Sequence, residues 1–156
     1  MQMSDLTILQ SVAVHREDIV RAYEMQVRKE EKAVLRVTPP FSAKMRGRIH
    51  IESDDDYMVG DDSGKPVHIS PEILLNDPPV FPTPDETADQ LRSDPDVKYT
   101  RDRHHQLHEE RVNQWRETIA NSIANQATIG VAGNENQQQV DIITLGSWPP
   151  NNTSER

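Results

Sequence analysis

From Lys44 to Glu52 the chain reads KMRGRIHIE. Met45, Gly47, Ile49 and Ile51 alternate with Lys44, Arg46, Arg48 and His50. A period of two belongs to a strand with one face on a core and the other in water. Upstream, Ala33 to Thr38 is short and rich in β-branched residues, and Pro39-Pro40 ends it. These two runs are expected to pair as antiparallel strands across the loop 39–43, which brings Arg36 onto the outer face of its neighbour. Gly47 lies on the apolar side and marks a bulge or a close approach of backbone.

The same region reverses the charge of the chain. Lys32 to Ile51 carries Lys32, Arg36, Lys44, Arg46 and Arg48 and lacks any Asp or Glu, whereas the whole chain has 26 acids against 17 cations and a net charge of −9. Lysine is scarce among those cations. Acid excess with little lysine suits concentrated salt, where the Debye length falls to about 3 Å near 1 M and self-repulsion is screened. Surface carboxylates keep such a protein soluble.

The rest of the chain supplies the scaffold. Residues 4–14 are short and apolar, and periodicity leaves helix and strand open there. His15 to about Glu31 is helical, with Ile19, Val20, Tyr23 and Val27 at three- and four-residue steps. Lys65 to Ile69 reads as a short strand, and Ser70-Pro71 opens a short helix. Thr83-Pro-Asp-Glu86 is a capping box that starts another helix, to about Ser93. From about Thr100 to Gln126 there is no Pro or Gly; this is expected to be the longest helix, with Leu107, Val112, Trp115, Ile119 and Ile123 inward. Ala127–Val131 and Val140–Leu145 read as strands. At 156 residues the prior is one domain. With hydrophobic residues at 34% and aromatics at 4%, its core is modest. The expected fold is α+β: one domain over residues 1–145, two main amphipathic helices packed on a small, mostly antiparallel sheet, and a disordered tail over 146–156.

Several chemistries are excluded or lack a motif. The chain has no cysteine, so disulfides, thiolate metal sites and thiol nucleophiles are out. No apolar run approaches the ~18 residues of a membrane helix. The start, MQMSDLTILQ, has no basic segment before an apolar core, so a cytoplasmic setting is expected. There is no P-loop, G-x-S-x-G or G-x-G-x-x-G. A non-enzymatic protein without a cofactor is therefore expected. His104 and His108, four apart on the long helix, are weak candidates for metal ligands in a metal-dependent or metal-stabilised protein; the zincin motif is missing, and solvated helix surface is the better reading.

The basic strand remains. Lys44, Arg46 and Arg48 project about 7 Å apart, close to the phosphate spacing of a nucleic-acid strand. Arg36, Lys44, Arg46, Arg48 and His50 are thus the expected anion or nucleic-acid site, with an acidic protein as the other partner this charge suits. Charge alone holds a nucleic acid weakly in concentrated salt. Four duplex phosphate contacts give a salt slope near −3.6, so a tenfold rise in salt costs roughly 10³- to 10⁴-fold in affinity; in molar salt bidentate arginine contacts are needed. A structural reading competes, in which the ladder pairs with Asp54–Asp56 or with Glu30 and Glu31. A homo-oligomeric structural protein is the further alternative.

The run LRVTPPFSAKMRGRIHI, set in an acidic, lysine-poor chain, resembles small uncharacterised proteins of extremely halophilic archaea. The resemblance implies a cytoplasmic, high-salt setting and carries no activity.

Overall fold

The computed structural model describes residues 6–53, 65–130 and 137–149. After a 3-10 turn at Leu6–Ile8, the elements in chain order are β1 (Ser11–His15), α1 (Arg16–Lys29), β2 (Ala33–Val37), β3 (Lys44–Ile51) and β4 (Val67–Ile69). A second 3-10 turn at Pro71–Leu74 follows, then α2 (Pro84–Arg92), α3 (Arg101–Ala120), β5 (Gln126–Gly130) and β6 (Gln137–Leu145).

The six strands form one sheet in the order β4-β2-β3-β1-β6-β5. Three pairs are antiparallel: β2 with β3, β2 with β4, and β5 with β6. The central strand β1 runs parallel to both β3 and β6. The fold is α+β with a mostly antiparallel sheet, as expected, but the apolar start is the strand that joins its two halves. Val12 and Val14, both fully buried, settle the ambiguity of that segment.

The sheet curls until its edges meet. Beyond β4 and ahead of β5, Leu75 bridges Ile123. Asn76 N–H donates to Ser122 O at 2.7 Å and Ala124 N–H to Leu74 O at 2.8 Å. The result is a nearly closed barrel, which leaves little open edge. Its interior is the core: Val12, Val14, Leu35, Val37, Ile69 and Val140 are each at most 1% exposed.

The helices depart from the sequence pattern in instructive places. α1 begins where expected and buries Ile19, Val20 and Ala22. Val27 stays 39% exposed, so the inward stripe is narrower than its periodicity indicates. α1 lies against β2 and touches β1 and β3, while α3 lies against α1 and α2. The capping box forms in full, with Thr83 Oγ1 accepting from Glu86 N–H and Glu86 Oε1 accepting from Thr83 N–H. α3 ends at Ala120, six residues before Gln126. No Gly or Pro stops it; Ser122 and Ala124 are drawn instead into the hydrogen bonds that close the barrel. Val112, Trp115 and Ile119 are buried as expected, whereas Ile123 lies past the helix and Leu107 is half-buried. Trp115 donates its indole N–H to Pro79 O at 3.0 Å, with Tyr23 stacked 5.8 Å away and Phe81 edge-on at 4.8 Å. α1 and α3 are also tied by Glu24, which accepts from Arg116 Nε at 2.7 Å and Nη2 at 2.8 Å. Of the expected tail, Trp148 packs against the core cluster; residues 150–156 lie outside the described residues.

Candidate anion-binding face

The geometry of the basic strand follows from its two neighbours. Cross-strand partners share a face of a sheet. Met45 and Gly47 are in register with Val12 and Val14 on β1, and Ile49 and Ile51 with Leu35 and Ala33 on β2. All four partners are fully buried. Met45, Gly47 and Ile49 therefore turn toward the barrel interior, Ile51 at the strand end is 43% exposed, and Lys44, Arg46, Arg48 and His50 point out. Gly47 marks the close approach: a Cβ there meets Val12 Cγ1 and Val14 Cγ2 at 3.2 Å each.

On the outer face Arg36 stands directly opposite Arg48. Like charges at that position, about 5 Å apart at Cβ, destabilise a sheet. Among the described residues no ion pair forms to Arg36, Lys44, Arg46 or Arg48. Glu30 and Glu31, offered as internal partners, do not supply one; Asp54–Asp56 lie outside the described residues. Arg36 Nη1 instead approaches the His50 ring, 3.5 Å from Nδ1 and 3.3 Å from Nε2. The Nε atoms of Arg36 and Arg46 are buried and make no hydrogen bond among the described residues.

Arg36, Arg46, Arg48 and His50 line one shallow groove of about 390 Å³, together with Thr38, Met45 and Ile49. Lys44 is on the same face but outside this groove; it is exposed and in register with Ser11. Four of the five expected site residues thus converge, and the fifth stands apart. One neighbour was not expected from the sequence. His68 on β4 is the register partner of Arg36, its ring lies 5.2 Å from that of His50, and its Nδ1 is 2.7 Å from Glu52 Oε2. The only signal in the sequence was the alternation of Val67, His68 and Ile69, which puts the imidazole on the outer face once β4 is paired with β2.

His104 and His108 have a packing role. His104 Nε2 lies 2.9 Å from Pro84 O, and His108 Nδ1 lies 2.8 Å from the hydroxyl of the fully buried Thr87. Arg111 Nη1 donates to the same hydroxyl at 2.9 Å. Burial lowers the His108 pKa, and the charges of His104, Arg111, Arg28 and His105 lower it further. These contacts dock α2 onto α3. Among the described residues no three His, Asp or Glu side chains gather as a metal site would require.

The fold and face define a small α+β domain whose nearly closed barrel carries a cationic outer strip. Residues 1–146 match the family model described as a domain of unknown function, DUF8009, and the chain belongs to that family. Neither the comparison with curated proteins nor that with solved structures returns a match. No helix among the described residues is long and apolar enough to cross a membrane.

Proposed function

We propose that this domain is a non-enzymatic binding module that takes single-stranded nucleic acid on the outer face of β2 and β3. One observation carries the reading. Arg36, Lys44, Arg46 and Arg48 share a face and have no acidic partner among the described residues, in a chain where acids outnumber cations by 26 to 17. A cationic face held without internal neutralisation keeps its charge for a ligand. In this reading α1, lying against β2 and backed by α3, supports the sheet behind the strip. The acid-rich, lysine-poor remainder supports work in a high-salt cytoplasm, as in halophilic archaea, where arginine forks are favoured over point charges.

Fluorescence anisotropy with a labelled single-stranded oligonucleotide tests the proposal. Arg46→Glu combined with Arg48→Glu is expected to abolish binding and leave the melting temperature nearly unchanged. Loss of folding in the double variant would make the strip structural. Binding of an acidic polypeptide such as polyglutamate, with no oligonucleotide bound, would transfer the face to a protein partner.

A further inference from the structure

Within that face, and resting on the reading of it as a ligand site, we infer that the groove bounded by Arg36, Arg46 and Arg48 is built for a phosphomonoester dianion: the terminal phosphate of a nucleic-acid strand or of a nucleotide.

Three features of the groove point to a terminal group over a track for a polymer. The first is convergence. Arg36 and Arg48 are register partners, and Arg46 follows on the same side of β3, so the three stems form a triangle with sides of about 5–8 Å. A phosphomonoester presents three non-ester oxygens and up to two negative charges; an internal phosphodiester presents two oxygens and one charge. Three guanidinium groups match the former. The second is unmet hydrogen bonding. Arg36 Nε and Arg46 Nε are buried without an acceptor among the described residues, so each reaches a ligand in the groove only by a turn of its side chain. A guanidinium reads a phosphate through paired N–H groups, and Nε–H is one member of that fork. The third is extent. The groove, at about 390 Å³, is near the small end of ligand pockets. Lys44, which a continuous track along β3 would include, does not line it.

The ground beside the triangle suits what such a phosphate is attached to. In register with Arg46 across β1 and β6 stand Ala13 and Ile143. Ile143 is 48% exposed; it stands two strands, about 10 Å, from Arg46 and lines a separate groove with Asp141. An apolar ledge at that distance from a cationic corner fits a nucleoside with its ring over the ledge and its phosphate in the corner.

The test uses the full chain in 1 M KCl with three probes: a 5′-phosphorylated oligonucleotide, the same oligonucleotide with a 5′-hydroxyl, and a free nucleoside 5′-monophosphate as competitor. The phosphorylated strand is expected to bind about tenfold or more tightly than the hydroxyl strand, in line with the strength of charge-assisted bidentate contacts. Arg46→Lys keeps the charge and removes the fork, so it is expected to erase that preference while the thermal melt stays unchanged; Arg36→Lys serves as the second variant if the first fails to fold. Equal affinity for the two strands would overturn the inference and leave the nucleic-acid reading standing. Binding of the free monophosphate with neither strand bound would support the inference and overturn the nucleic-acid reading. No binding of any probe would overturn both.

Discussion

The salt dependence of binding separates the cations of the outer strip from the rest of the molecule, and its size follows from the contacts. Arg36, Lys44, Arg46 and Arg48 have no acidic partner among the described residues. Arg28 and Arg116 both bind Glu24, at 2.8 and 2.7 Å, and so are already neutralised. If each of the four strip cations meets its own phosphate along a single strand, as a track would have it and a single terminal phosphate would not, the slope of log affinity against log salt is about −0.7 per contact, or about −2.8 in all. Raising KCl from about 0.3 to 3 M then weakens binding roughly 600-fold. Arg48→Gln removes one contact, and the slope is expected to fall to about −2.1. Arg28→Gln is expected to leave it unchanged. Anisotropy titrations at four or five salt concentrations give each slope, and circular dichroism at the same concentrations confirms that the fold is constant. The reasoning is refuted if Arg48→Gln keeps the wild-type slope, or if Arg28→Gln flattens it as much.

The remaining predictions concern the scaffold. Gly47→Val places new carbons against Val12 and Val14, where a Cβ alone is already at 3.2 Å; it is expected to cost about 1–3 kcal/mol in urea unfolding, and a variant as stable as wild type would deny the close approach of β3 to β1. Glu24→Gln breaks the paired hydrogen bonds from Arg116 and the contact with Arg28, with an expected loss of about 1–2 kcal/mol after allowance for partial exposure. The Arg116 hydrogen bonds, then those of Arg28, hold the Glu24 carboxyl below its ordinary 4.5, so this contribution is present above about that pH and is lost as pH falls through the folded value; a stability gap between wild type and variant that persists in strong acid would contradict it. Burial first, and then neighbouring positive charge, lowers the His108 pKa from its ordinary value. The unfolded chain takes up that proton first, near 6.5, so wild type is expected to lose stability as pH falls below that point, and His108→Gln to lose less; parallel pH–melting curves would refute the assignment.

The legible parts of this fold are those decided by local chemistry. The alternation over Lys44–Ile51 fixed a strand and its outward residues, Pro39-Pro40 fixed the turn, and Thr83 with Glu86 fixed a helix start. Each depends on residues within a few positions of one another. The parts that were not legible depend on distant partners. Residues 11–15 carry too few side chains to show a period, and they become a strand because β3 and β6 supply hydrogen bonds from 33 and 130 residues away. α3 stops at Ala120 because closing the barrel competes for Ser122 and Ala124, a cause with no local mark. His68 joins the outer cluster only through the pairing of β4 with β2.

That non-local pairing also shapes the candidate site. β3 sits between two strands, so its backbone is hydrogen-bonded on both sides and its outer side chains rise from a rigid base. On the β2 side its neighbour is Arg36, which adds charge. On the β1 side the register partners of Lys44 and Arg46 are Ser11 and Ala13, which are small and carry no charge. A bulky or acidic residue at position 13 would fill the ground beside Arg46 or neutralise it. Ala13 does neither, which leaves the β1 side of Arg46 uncharged and free of bulk. The alternation in Lys44–Ile51 thus sets the cations on one face, but the openness of that face comes from a strand whose identity the local sequence does not reveal. A charged face is read from one strand; a site needs the neighbour that leaves it room.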